Sequence, residues 1–135
     1  TGATELRWLV TQVEHLGCKT ILLNGDIAEG TVPERAKELH ELAALAHMAP
    51  DGAYFVPGNH EFYNFMARGG GRAAATEWSQ WWAANGVRSL NNTQVELPLT
   101  SKVKWFRLAG VDDPLGAPDF AAALGENTSA GGRRM

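Results

Sequence analysis

Cysteine is nearly absent from this sequence: among 135 residues there is one, Cys18. A lone thiol excludes an internal disulfide framework and any zinc site built on paired cysteines. Set between Gly17 and an apolar run, it reads as a small core residue. Long apolar runs are lacking too. None approaches the ~18 residues needed to cross a bilayer, and Thr1 to Glu5 carries neither the basic nor the apolar part of a signal peptide. Positive charge is not in excess, since 12 basic residues face 15 acidic ones, a net −3 mixed along the chain. With no basic stripe to neutralise a row of phosphates, a nucleic-acid grip is removed from the readings. Large hydrophobes are fewer than the apolar fraction of 44% suggests, because 20 of the 60 apolar residues are alanine. The rest fill one modest core, and the length suits one small domain.

What is present alternates helical and strand signals. Leu6, Leu9, Val10, Val13 and Leu16 recur at three- and four-residue steps, the stripe of an amphipathic helix with Thr4 as N-cap and Gly17 as its stop. Thr20 to Asn24 is a short apolar run without alternation, as expected of a strand covered on both faces. Thr31 and Glu34 form a capping-box pattern with Pro33 in the first turn. The helix they open runs from about Pro33 to His47, with Ala36, Leu39, Leu42, Ala43 and Ala46 inward. Pro50-Asp51-Gly52 stops it, and Ala53 to Val56 is a second buried strand. Two such strands joined by a helix predict a parallel, right-handed βαβ unit.

Beyond the Gly69-Gly70-Gly71 turn, a helix over about Ala73 to Ala84 carries Trp78, Trp81 and Trp82 at packing spacing. Val87 to Leu90, Thr93 to Leu97 and Val103 to Leu108 read as short strands, with turns at Asn91-Asn92 and Leu99 to Ser101. Asp119 to Leu124 fits one or two helical turns, and the last residues, 125–135, read as a disordered tail. The glycine run before Arg72 lacks the Lys-Ser/Thr of a phosphate loop. A Rossmann-like nucleotide binder is excluded as well, since no Gly-rich first turn follows a strand.

Both strands of the first half end in polar residues: Asp26 on one, Asn59 and His60 on the other. In a parallel sheet these ends share one edge, where ligands bind. Asp26 offers two carboxylate oxygens and suits bridging of two cations, Asn59 offers a carbonyl oxygen, and His60 an imidazole. Gly25 and Gly58 allow tight turns, so the side chains can converge. That is the makeup of half a metal site. His15, His40 and His47 fall on the solvent faces of helices and are not ligands. Asp112-Asp113-Pro114 reads as a strand-ending turn, Asn91 as a turn residue within an N-x-[ST] sequon shared in type by Asn127.

In this order the two segments resemble the calcineurin-like metallophosphoesterase family. Ile21-Leu22-Leu23-Asn24-Gly25-Asp26 is similar to its strand-then-GD motif, and Tyr54 to Glu61 to its GNH[DE] motif. Leu108 to Asp113 is similar to a segment of a membrane-associated branch that includes bacterial phosphodiesterase-like proteins and a eukaryotic transmembrane protein with a metallophosphoesterase domain. The resemblance implies an α/β fold, part of a four-layer α/β/β/α sandwich with a βαβ unit and mixed sheet. It implies a phosphoester hydrolase with a dinuclear metal centre and a metal-bound hydroxide. Asp26 would bridge two divalent cations (Mn, Fe or Zn), Asn59 would complete the second one's shell, and His60 would serve the leaving-group oxygen as the catalytic residue. Glu61 would orient His60 or be solvated. The substrate would be a small or lipid-linked phosphoester. Location is left open, and membrane association would come only through flanking sequence.

The family's DxH motif would precede Thr1, and its later His and GHxH motif would follow Met135. By the resemblance, residues 1–124 are therefore part of a domain whose opening strand and second half lie outside the chain. The competing reading is a non-catalytic, truncated or degenerate phosphoesterase-fold protein acting as a binding module; the missing motifs favour an inactive chain as it stands.

Overall fold

The expected βαβ unit forms. β1 (Ile21–Asn24) and β2 (Ala53–Val56) run parallel, from Ile21 opposite Ala53 to Asn24 opposite Val56. β3 (Val87–Ser89) joins β2 in parallel, giving the order β1-β2-β3. β4 (Thr93–Leu97) and β5 (Phe106–Gly110) form a separate antiparallel pair. The helices are α1 (Ala3–Leu16), α2 (Val32–Ala43), α3 (Leu45–Met48), α4 (Asn59–Met66), α5 (Gly71–Ala84) and α6 (Phe120–Leu124). The computed structural model describes residues 2–66, 71–98 and 104–125. The expected turns at Gly69-Gly70 and Leu99 to Ser101, the strand start at Val103, Asn127 and residues 126–135 lie outside the described residues.

Strand alternation sends side chains to opposite sheet faces, and each face has its own core. Ile21, Ala53 and Phe55 pack with Leu6, Leu39, Leu42, Trp78 and Trp82 of the helices. Tyr54 packs on the other face with Leu90 and Leu97, joined by Val56, Val95, Phe106 and Leu108. The tryptophan stripe is packing surface, as its spacing predicts: Trp78 and Trp82 are buried, and Trp82 meets Phe55 at 5.6 Å between ring centres. Cys18 lies half-buried against the helical core. Among the described residues no helix is long and apolar enough to cross a membrane.

Several local expectations need correction. β1 is not covered on both faces: Leu22 faces the side of Tyr54 and remains 56% exposed. The β4–β5 pair packs over β2 and over Leu90, just past β3, and leaves Leu22 of β1 open there, beside a cavity of about 480 Å³ that includes Leu22, Tyr54 and Leu108 in its wall. The capping box at Thr31 and Glu34 forms, but the helix it opens does not continue unbroken to His47. At Ala44 the bonds tighten to three-residue steps, Ala44 N–H to Glu41 O at 3.3 Å and His47 N–H to Ala44 O at 3.1 Å, which separates α3 from α2. The N-cap of α1 is Gly2 rather than Thr4, since Leu6 N–H already bonds Gly2 O at 3.2 Å. Gly17 ends that helix in the left-handed region at φ +61°, as expected.

β5 starts later than expected, since Lys104 and Trp105 lie outside any strand, and runs past Leu108 to Gly110, where the backbone passes so close to Leu90 that a side chain would collide with it. The Asn91-Asn92 turn is present, with Asn92 at φ +49°, a conformation Asn tolerates. The side chain of Asn92 also ties the following segment: its Oδ1 accepts from Asp112 N–H at 3.1 Å and Asp119 N–H at 2.9 Å. Asp113 caps a single 3₁₀ turn through Leu115 N–H, so Asp112-Asp113-Pro114 is the strand-ending turn it reads as. Asp119 caps α6 through Ala122 N–H at 2.8 Å.

The α1 stripe is only partly inward: Leu6 is buried, whereas Leu9 and Leu16 are exposed. Leu39→Ala is therefore expected to cost about 2–5 kcal/mol, and Leu16→Ala, at 74% exposure, to stay within about 0.5 kcal/mol of the parent. Urea unfolding followed by tryptophan fluorescence measures both.

Candidate functional site

The site begins with two turns that touch through backbone. Gly25, at φ +64°, follows β1, and a Cβ there would stand 2.7 Å from the Gly58 Cα. A Cβ on Gly58 would stand 2.7 Å from the Asp26 nitrogen. Only glycine at both positions lets the turns meet. Asp26 itself sits at φ +55°, in the left-handed region that Asp enters more readily than most residues.

Asp26, Asn59 and His60 meet where β1 and β2 end. The His60 N–H donates to Asp26 Oδ1 at 2.9 Å. The Asn59 amide, with its nitrogen toward Asp26, donates to Oδ1 at 3.0 Å and Oδ2 at 3.2 Å, while its oxygen accepts from the Tyr63 hydroxyl at 2.7 Å. His60 Nδ1 lies 3.1 Å from Glu29 Oε1, and its ring centre 5.5 Å from that of Tyr63. Glu29 is 77% exposed, so this pair adds little stability; its effect is to orient the ring and leave Nε2 free of Glu29. His15, His40 and His47 are exposed on helices, as expected.

Glu61 departs from both expectations. It is neither solvated nor the partner of His60. It is 1% exposed, and its carboxylate accepts four backbone N–H groups: Asp26 at 2.8 Å, Ile27 at 2.8 Å, Ala28 at 3.0 Å and Gly58 at 2.7 Å. The reason is α4, a helix the sequence reading did not include. Because α4 starts at Asn59, Glu61 is its third residue, placed to reach back to the Gly58 N–H in the manner of a capping box. The spacing Gly58-x-x-Glu61 carried that signal. Glu29 and Tyr63 were missed as well, although Glu29 stands three residues after Asp26 on the same loop. That loop is held at its far end by Trp78, whose indole N–H donates to Gly30 O at 3.0 Å.

Asp26 and Asn59 offer oxygen donors of the kind divalent cations take. They suit a cation in chemistry but are few: among the described residues no three His, Cys, Asp or Glu side chains converge as a cage.

An acidic, amide and imidazole constellation at the ends of parallel strands defines an α/β protein with its polar site at the sheet edge. The sequence profile of the calcineurin-like phosphoesterases matches residues 2–122, and the chain belongs to that family. No curated protein and no solved structure matches the chain. The observed mixture of helices with parallel and antiparallel strands agrees with the family's fold. Phosphoester hydrolysis and divalent metals are properties of the family at large.

The contact between the turns makes a prediction. Gly17→Ala meets no atom within 4 Å and is expected to cost only about 1–2 kcal/mol for its left-handed backbone. Gly25→Ala carries that cost plus a backbone collision, and its urea midpoint is expected to fall clearly further.

Proposed function

We propose that this chain is part of a metal-dependent phosphoester hydrolase with a dinuclear centre, and that Asp26, Asn59 and His60 are its share of that centre. The observation that carries the reading is their convergence at the ends of two adjacent parallel strands, in a chain of this family. Asp26 and Asn59 would hold divalent cations; Mn, Fe and Zn all suit such donors. When bound, such a pair polarises the phosphoryl group and activates a water for in-line attack. To give its amide oxygen to a cation, Asn59 would exchange its bond to the Tyr63 hydroxyl for that contact. His60, steadied at Nδ1 by Glu29, presents Nε2 to the leaving-group oxygen and donates a proton or hydrogen bond there. The substrate is a small or lipid-linked phosphoester. The likeness of Leu108 to Asp113 to the membrane-associated branch supports a lipid-linked one.

Ligand counting sets the test. A cation pair needs several ligands each, or its mutual repulsion is poorly offset. The 135-residue chain is expected to show little Mn²⁺-dependent hydrolysis of an aryl phosphodiester. A longer form carrying the family's DxH and GHxH motifs is expected to be active. There, His60→Ala is expected to lower turnover about 100-fold or more while changing metal content far less. Strong Mn²⁺-dependent turnover by the short chain, lost in Asp26→Ala, would overturn this assignment of ligands.

A further inference from the structure

Four backbone donors from two separate turns end on the single carboxylate of Glu61. Each oxygen accepts two of them, Oε2 from Asp26 and Gly58 and Oε1 from Ile27 and Ala28. Among the described residues no Lys or Arg pairs with it, so the charge is offset by oriented backbone dipoles alone. The bonding is also crossed. The Asp26 loop donates to Glu61 of α4, and α4 donates back through the His60 N–H to the Asp26 carboxylate. Buried N–H groups must find acceptors; the other carboxylate at the contact, that of Asp26, is taken by the His60 N–H, and these four amides end on Glu61.

We infer that Glu61 is the positioning residue of this site: its carboxylate braces the Asp26 loop against the start of α4, so that Asp26, Asn59 and His60 stand together before any cation arrives. The brace deepens the proposed hydrolase reading and rests on it only for what the arrangement serves. A Gln at this position keeps the length but turns an NH₂ group toward two donors, which removes acceptors and adds repulsion. Asp is too short by one methylene to reach all four.

The test compares Glu61→Gln with Leu39→Ala, which weakens the helical core and leaves the acceptor of all four amides in place. Amide hydrogen exchange is read at Asp26, Ile27, Ala28 and Gly58, and at β2 as reference. In Glu61→Gln the four amides are expected to exchange about tenfold faster or more relative to β2, the factor of one lost charge-assisted hydrogen bond. In Leu39→Ala, site and strand should accelerate together. Mn²⁺ is then titrated while the Asn59 and His60 amide signals are followed for paramagnetic broadening. Equal broadening in Glu61→Gln is expected to need about tenfold more Mn²⁺, with Leu39→Ala unchanged. Uniform acceleration in Glu61→Gln would overturn the brace, as would unchanged Mn²⁺ broadening where the parent chain shows it. If the 135-residue parent shows no broadening, the same titration of the longer form decides the metal reading, and the exchange comparison still decides the brace. If Glu61→Gln does not fold, exchange of the parent chain in low urea decides. The four amides must then open as one group, and independent opening refutes the inference.

Discussion

A carboxylate sealed from water is costly unless its oxygens are fully used, and the Glu61 side chain meets that condition with four backbone N–H groups. Most of the candidate site depends on this bonding. It fixes where the Asp26 loop turns, and it closes the first turn of α4. Two chain segments more than thirty residues apart thereby become one surface. The glycines at 25 and 58 are its steric condition, because the backbones must touch for one side chain to reach both.

The remaining scaffold limits how far that surface can drift. Trp78 is buried in the helical core and also grips the Gly30 carbonyl, so the loop carrying Asp26 and Glu29 is tethered at both ends. On the opposite sheet face, Tyr54, Leu90 and Leu97 hold the β4–β5 pair. The Asn92 side chain pins the segment beyond it through Asp112 and Asp119. Coverage is uneven: β2 is buried on both sides, whereas β1 keeps Leu22 exposed.

The electrostatics of the strand ends agree with cation chemistry. Asp26, Glu29 and Glu61 gather within one network, and among the described residues none of them pairs with Lys or Arg; the one basic partner is His60 at Glu29. Arg35, nearby on α2, is engaged by Glu38 at 2.8 Å. With Glu61 satisfied by backbone N–H groups, the Asp26 and Glu29 carboxylates beside His60 leave negative charge that favours cations at their open side. That side is where the Asp26 and Asn59 side chains converge.

Local order was legible because its causes are local. Hydrophobic spacing marked α1, α2 and α5, the Thr31–Glu34 pair marked a helix start, and short apolar runs ending in Gly-Asp and Gly-Asn-His marked two parallel strands and their polar ends. The tryptophan spacing identified packing surface. Three matters could not be read this way. The break at Ala44 leaves no mark in composition, since Ala continues a helix readily. The exposure of Leu22 depends on how far a second sheet extends. The partners of Glu29, Tyr63 and Glu61 depend on contacts across more than thirty residues or on a helix whose start was not foreseen. Periodicity specifies which face of an element is apolar; it carries no information on which polar group meets which, because that follows from the approach of two turns after the sheet has formed. Asp26, Asn59 and His60 could therefore be named from order and spacing, and the spacing of Glu61 marks its reach back to Gly58, while its bonds to the Asp26 loop became visible only where two backbones come into contact.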